Sequence, residues 1–285
     1  METLQSSTGL KYFTMAFVVA RSTCEAAWGG IIPLSENFAL ADVASLRSFG
    51  GDIIVSFGGA NGIELAQSCA TVQALAAQYQ AAIDRYNLTR VDFDIEGAAI
   101  GDAASIDLRN KAIAHLQQTA TSKGQPLIVQ YTLPVLPTGL TADGVNVLRN
   151  ALQNGVDIGV VNVMAMDYGG PAVANPNEMG QNAIAALNAT FNQLQALYGQ
   201  TKTPAELHAM QGVTPMIGLN DVQPEVFTLA DAQTVLQAAE NNRIGLISMW
   251  SLGRDQTCPG TPQVSSTCSG ILQGQYQFST TFNPF

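Results

Sequence analysis

The stretch Val91-Asp92-Phe93-Asp94-Ile95-Glu96-Gly97 decides how this chain is read. Side chains on a β-strand alternate, so Asp92, Asp94 and Glu96 point one way and Val91, Phe93 and Ile95 the other. The apolar set suits packing under helices. Three acids on an interior face are costly unless they are paired, protonated or used. Same-face neighbours lie roughly 6.6 Å apart along a strand, close enough for side-chain rotation to join Asp94 to Glu96. Crowded carboxylates in a partly desolvated site raise at least one pKa, and a carboxyl kept protonated near neutral pH can donate to a leaving oxygen. Catalysis is one reading of the strand. A metal-binding or structural acidic cluster is the other.

Outward from this strand the chain repeats a short apolar run, a polar loop and a helical stretch. Strands are expected at Tyr12–Val19, Asp52–Gly58, Arg90–Glu96, Leu127–Leu133, Gly159–Asp167, Pro215–Leu219 and Gly245–Leu252. Helices are expected at Glu64–Tyr86, Ala104–Thr121, Thr141–Asn154, Met179–Tyr198 and Leu229–Asn241, with a short final one near Gly270–Phe278. Alternating strand and helix implies a parallel sheet in an α/β protein, and nearly all-apolar strands imply both faces covered. At 285 residues the expectation is one domain, 1–285, a TIM-type (β/α)8 barrel. Only seven strands are clear, so either one strand escapes the pattern or the first strand–helix unit is missing or unusual. Residues at the C-terminal strand ends of such barrels do the chemistry, and Glu96 comes last on its strand.

Hydrophobic residues make up 47% and charged residues 12%, ample for a large core. The net charge of −10 argues against nucleic acid and for a neutral polymer or small molecule. No apolar run spans a membrane, and Met1–Leu10 lacks the apolar core of a signal peptide. With four cysteines, no CxxC pair and two histidines, His115 and His208, no zinc site is expected. Cys258 and Cys268 share a loop-like stretch and suit one disulfide; Cys24 and Cys69 would form the other, with four buried thiols as the alternative. Paired cysteines favour an oxidising, extracellular location.

The run VDFDIEG resembles the DxxDxDxE signature of the family 18 glycoside hydrolases, the chitinase family. Ser56-Phe57-Gly58-Gly59 is similar to the family's SxGG strand. Met164-Ala165-Met166-Asp167-Tyr168-Gly169 is similar to its later Met/Tyr/Asp strand, and Ser248-Met249-Trp250-Ser251 to its last. The four segments occur in family order over nearly the whole chain, nearest to bacterial members. The signature's first Asp is Thr89 here. The resemblance implies a retaining chitinase using substrate-assisted chemistry, without metal or cofactor. It implies Glu96 as proton donor, Asp94 holding the acetamide, Asp92 supporting Asp94, Tyr168 orienting the acetamide oxygen and Trp250 under the sugar. Candidate sugar contacts are Met164, Met166, Asp167, Trp28 and Gln130, with Ser56 behind Asp92. Alternation puts Asp167 opposite Tyr168 unless the strand bulges, core packing suits Met164 and Met166 equally, and Trp28 also suits a buried loop anchor. The expected partner is chitin or chito-oligosaccharides, bound by a monomer. The alternatives are an endo-β-N-acetylglucosaminidase acting on N-glycans and a non-catalytic chitin-binding lectin.

Overall fold

The computed structural model describes residues 7–285, which fall into two compact units. The first holds Lys11–Thr132 and Asp143–Gly159; the second holds residues 7–10, Leu133–Ala142 and Val160–Phe285. Most of the polar Met1–Leu10 stretch lies outside the described residues.

The first unit starts with strand β1 (Tyr12–Ser22), on which β2 (Glu25–Trp28) and β3 (Ile32–Pro33) fold back antiparallel. Then come β4 (Asp52–Gly58), β5 (Arg90–Asp94) and β6 (Ile128–Leu136). Strands β1, β4, β5 and the start of β6 pair in that order, all parallel. The first strand is the unusual one. Its far edge pairs with a hairpin over Val18–Ser22, where a strand–helix repeat would place another parallel strand, and Tyr12 before that hairpin is exposed.

Alternation on β5 is as expected. Phe93 stacks on Phe57 at 5.4 Å, meets Tyr79 of helix Val72–Tyr86 edge-on at 5.0 Å and leans on Tyr131 at 6.1 Å. The helix lays Leu75, Ala76, Tyr79, Ala82 and Tyr86 into the core, a stripe at three- and four-residue spacing. It starts where Thr71 accepts the Ala74 N–H and ends at Asn87 in the left-handed region.

In the second unit β6 ends by pairing with β7 (Gly139–Leu140). Strands β8 (Ile158–Ala165), β9 (Gln211–Pro215) and β12 (Leu246–Ile247) run parallel in that order, beside the hairpin β10 (Gly218–Leu219) and β11 (Val226–Phe227). Helix Leu229–Asn242 opens on a reciprocal cap between Thr228 and Asp231. Among the described residues, no helix is long and apolar enough to cross a membrane.

Both disulfides form as paired in the sequence, Cys24–Cys69 and Cys258–Cys268. Several element boundaries need correction, among them the strand expected at Gly245–Leu252, which forms a ladder at Leu246–Ile247 and a single bridge at Trp250. The helix expected over Glu64–Tyr86 is two, Leu65–Ser68 and Val72–Tyr86, because Cys69 is extended where it bonds Cys24 and Thr71 caps afresh. The strand expected at Pro215–Leu219 lies at Gln211–Pro215; a proline, lacking an N–H, closes it, and Gly218–Leu219 turns into the hairpin. The last helix is Gln277–Phe282, because Asp255 accepts the Phe278 and Ser279 N–H groups there at 3.0 and 2.7 Å.

One buried ion pair fastens the loop after β4. Glu64 accepts from Arg109 at 2.7 Å, Tyr79 at 3.1 Å and the Ala66 N–H at 3.0 Å, with Arg109 wholly buried. Arg109→Ala strands the Glu64 carboxylate and is expected to cost about 3–5 kcal/mol, lowering Tm by about 10 °C. Glu64→Leu with Arg109→Met should recover most of that loss. Thermal melts of both variants check this; an unshifted Arg109→Ala melt refutes it.

Candidate active site

In the first unit Asp92, Asp94 and Glu96 emerge from one strand on the side away from the aromatic cluster. The ladder continues past Asp94, since the Ile95 N–H donates to the Thr132 carbonyl at 3.0 Å and Glu96 is extended (φ −142°, ψ −175°). Burial falls along the row: Asp92 and Asp94 are buried and Glu96 is half-buried.

Asp92 is held from both neighbouring strands. Ser56 Oγ donates to its Oδ2 at 2.5 Å and Thr132 Oγ1 to its Oδ1 at 2.7 Å, the range for hydroxyls on a carboxylate. The register places Ser56 and Gln130 directly beside Asp92 and Thr132 beside Asp94. Gln130 faces this site, while Tyr131 turns its hydroxyl to Asn110. Burial pushes the Asp92 carboxyl up to about 6 against the pull of its donors. Asp94 is also held well above the carboxylate range, by burial first and then by the charges of Asp92 and Glu96. Its Oδ1 is buried and accepts no hydrogen bond among the described residues. Two hydroxyls stabilise charge on Asp92, and none reaches this oxygen of Asp94.

Gly58 and Gly59 have a steric reason. A Cβ on Gly58 (φ +105°) would sit 2.0 Å from the Asp94 carbonyl, and one on Gly59 (φ +87°) 2.7 Å from the Phe17 ring. The Gly59 N–H donates to the same Asp94 carbonyl at 3.0 Å. The glycines thus let the loop close against the acid-bearing strand.

The second unit carries the other candidates. Strand β8 ends at Ala165; Met164 and Met166 are half-buried, and Asp167 turns left-handed (φ +49°), so alternation stops there. Asp167 accepts the Val222 N–H at 2.8 Å and gives its own N–H to Asn220 at 3.2 Å. Burial first, then Asp221 and Glu225, raise its carboxyl pKa. Tyr168 is 3% exposed and its hydroxyl has no partner among the described residues. Trp250 is 40% exposed, with its backbone tied to Pro215 and Ile217.

Trp28 requires a correction. It is 5% exposed, gives its Nε1–H to the Tyr86 hydroxyl at 2.7 Å and packs on Phe38 and Tyr86, so it is a buried anchor at the end of β2 with no open face for a sugar. Sequence reasoning passed over Thr132, although two-residue alternation from Gln130 would have found it. It also missed Glu225, a loop residue with no local signal. Among the described residues, no group of three or more His, Cys, Asp or Glu is arranged to hold a metal ion.

No family model matches the chain. It is 41% identical over 292 residues to a probable bifunctional chitinase/lysozyme of Escherichia coli (strain K12), covering 99% of this chain and 32% of that protein. It is 42% identical over 264 residues to endochitinase 11 of Metarhizium anisopliae, covering 90% of this chain and 49% of that one. The chain therefore spans about a third and about half of these relatives. A crystal structure of the catalytic domain of a hyperthermophilic chitinase from Pyrococcus furiosus is 36% identical, with a TM-score of 0.88 over 99% of this chain and 88% of that one. The fold class is accordingly the α/β, TIM-type barrel. A family 18 chitinase from a fern shares the fold at 17% identity and a TM-score of 0.59.

The Asp92 shift has a sign that can be measured. Folded Asp92 keeps a proton to about pH 6, whereas an unfolded aspartate loses it near 4. The stability this confers is complete below about pH 4 and is lost as pH rises through 6. Denaturation midpoints from pH 4 to 7 should fall less steeply for Asp92→Asn than for wild type. Parallel profiles would show that Asp92 does not carry the shift.

Proposed function

The chain belongs to the family 18 glycoside hydrolases, the chitinase family, and from that premise we propose that residues 1–285 act as one catalytic domain cleaving β-1,4 bonds between N-acetylglucosamine units of chitin. The observation that carries the reading is the graded row on one strand: Asp92 anchored by hydroxyls, Asp94 buried with an oxygen to spare, and Glu96 half-buried at the strand's end.

The proposed chemistry is retaining and substrate-assisted. The acetamide oxygen of the reacting sugar attacks its own anomeric carbon while Glu96 protonates the departing glycosidic oxygen and that C–O bond breaks. The resulting oxazolinium ion is opened by water, whose proton returns to Glu96. Asp94 accepts the acetamide N–H through its spare oxygen and counters the positive charge, and Asp92 shares its proton with Asp94. Tyr168 donates to the acetamide oxygen and Trp250 lies under the sugar; Gln130 and Ser56 support the acids, and Met164 and Met166 line the pocket. Chito-oligosaccharides are bound by the Pyrococcus enzyme in one of its crystal structures, and chitin or its oligomers are the ligands proposed here. Two disulfides favour work outside the cell, and the chain is proposed to act as a monomer.

Glu96→Gln keeps the shape of the side chain and removes the acid. It is expected to lower kcat on a hexameric chitin oligomer by about 100-fold to 10,000-fold or more while leaving oligomer binding intact. Turnover at the wild-type rate would sink the assignment, and cleavage of a high-mannose glycoprotein in place of chitin oligomers would move it to N-glycans. Activity should be the same with and without EDTA. A loss restored by Mg²⁺ or Ca²⁺ would assign the acidic row to a metal.

A further inference from the structure

Glu225 lies in the loop between β10 and β11 and has no part in the chemistry above. It is wholly buried, and among the described residues no cation is paired with it. Its carboxylate instead accepts two backbone N–H groups from one short segment: Tyr168 at 3.0 Å on Oε2 and Gly170 at 2.8 Å on Oε1.

That segment cannot hold itself. Asp167, Gly169 and Gly170 have φ of +49°, +109° and +83°, so no strand or helix ladder takes up its N–H groups. The second loop satisfies them in order. Asn220 takes the Asp167 N–H, Glu225 takes those of Tyr168 and Gly170, and Asp167 returns an acceptor to the Val222 N–H. The clamping loop is tied internally, with Asn220 N–H to the Glu225 carbonyl at 3.0 Å and Glu225 N–H to the Val222 carbonyl at 3.1 Å. Asn220 Nδ2 anchors it to the Met216 and Gly218 carbonyls.

Between the two residues whose N–H groups Glu225 holds, Gly169 is exposed; Tyr168 itself is buried with a hydroxyl that has no hydrogen-bond partner among the described residues. A buried hydroxyl without a partner is destabilising, and its persistence marks a hydrogen bond kept for something else. Building on the catalytic reading of Tyr168, we propose that Glu225 is a positioning residue that acts through Tyr168, fixing its peptide on both sides so that the phenol stands ready to donate to the acetamide oxygen. The negative charge has a second effect in the same direction. Burial first and Glu225 second push the phenol's pKa upward, so Tyr168 stays a donor.

The test is a two-residue cycle with Glu225→Gln and Tyr168→Phe, read as kcat and KM on a chitin oligomer and checked by thermal melts. Glutamine turns an NH₂ toward one of the two N–H groups and so loosens the clamp without changing its size. In the native background Glu225→Gln should lower kcat by about 100-fold with a much smaller change in KM, the scale of a misplaced positioning group. In the Tyr168→Phe background it should cost less than about 2-fold, because the group it positions is gone. If Glu225→Gln melts below the assay temperature, Glu225→Asp, which keeps the charge and both acceptors on a shorter arm, takes its place in the cycle. A Tyr168→Phe enzyme with full activity would overturn the role of Tyr168 and that of Glu225 together. An impaired Tyr168→Phe enzyme that still loses the full factor on Glu225→Gln would overturn Glu225 alone and leave the chitinase reading standing.

Discussion

Two carboxylates are buried two residues apart on one strand, and the first unit is arranged around tolerating them. Burial disfavours the charged form of each, and each charge disfavours the other. The neighbouring strands divide the problem unequally. Ser56 and Thr132 give Asp92 two hydroxyls, while an oxygen of Asp94 is left with none. Equal treatment would have neutralised the difference between them. Unequal treatment leaves Asp94 as the residue with a hydrogen bond still to make.

The opposite face of the same strand supplies the rigidity this needs. Phe93 is stacked among Phe57, Tyr79 and Tyr131, so the strand cannot slide or turn without breaking ring contacts. Tyr79 joins that cluster to the Glu64–Arg109 pair, which holds the loop leaving β4. Gly58 and Gly59 then bring that loop against the backbone of Asp94, at a distance no side chain would permit. Ring packing, a buried ion pair and two glycines thus converge on one peptide.

What the sequence made legible follows from what is periodic. Alternation of period two separated Asp92, Asp94 and Glu96 from Val91, Phe93 and Ile95, and it carried to Gln130 against Tyr131. It failed at Asp167, where a left-handed residue ends the strand and neighbours no longer oppose one another. Helical periodicity ran across the break at Cys69 because Leu65, Cys69 and Leu75 are buried whether or not the helix is continuous. The final helix was misplaced because Asp255, far back in the chain, decides where it starts. Trp28 is open to two readings because an indole ring can stack on a sugar or pack inside with its N–H satisfied, and only the position of Tyr86 decides. The family motifs imply the chemistry; Asn220 and Glu225, which hold the peptide groups of Asp167 and Tyr168, come from another loop and carry no local mark.

Glu225 belongs to that unmarked class, and its neighbourhood mirrors the logic of the acidic row. A left-handed segment has N–H groups that its own conformation cannot use. A single carboxylate serves two, because its oxygens are equivalent and each accepts independently. The charge is costly to bury, yet two backbone dipoles oriented toward it are among the least expensive ways to keep it. The result is that the peptide carrying Tyr168 is over-determined while the phenol hydroxyl at its tip is left unsatisfied. Asp94 presents the same combination with the polarity reversed, a rigidly held strand ending in an unused acceptor. Both side chains are held from their backbones with a buried polar atom left over, which is the arrangement that the proposed contact of each with an incoming sugar requires.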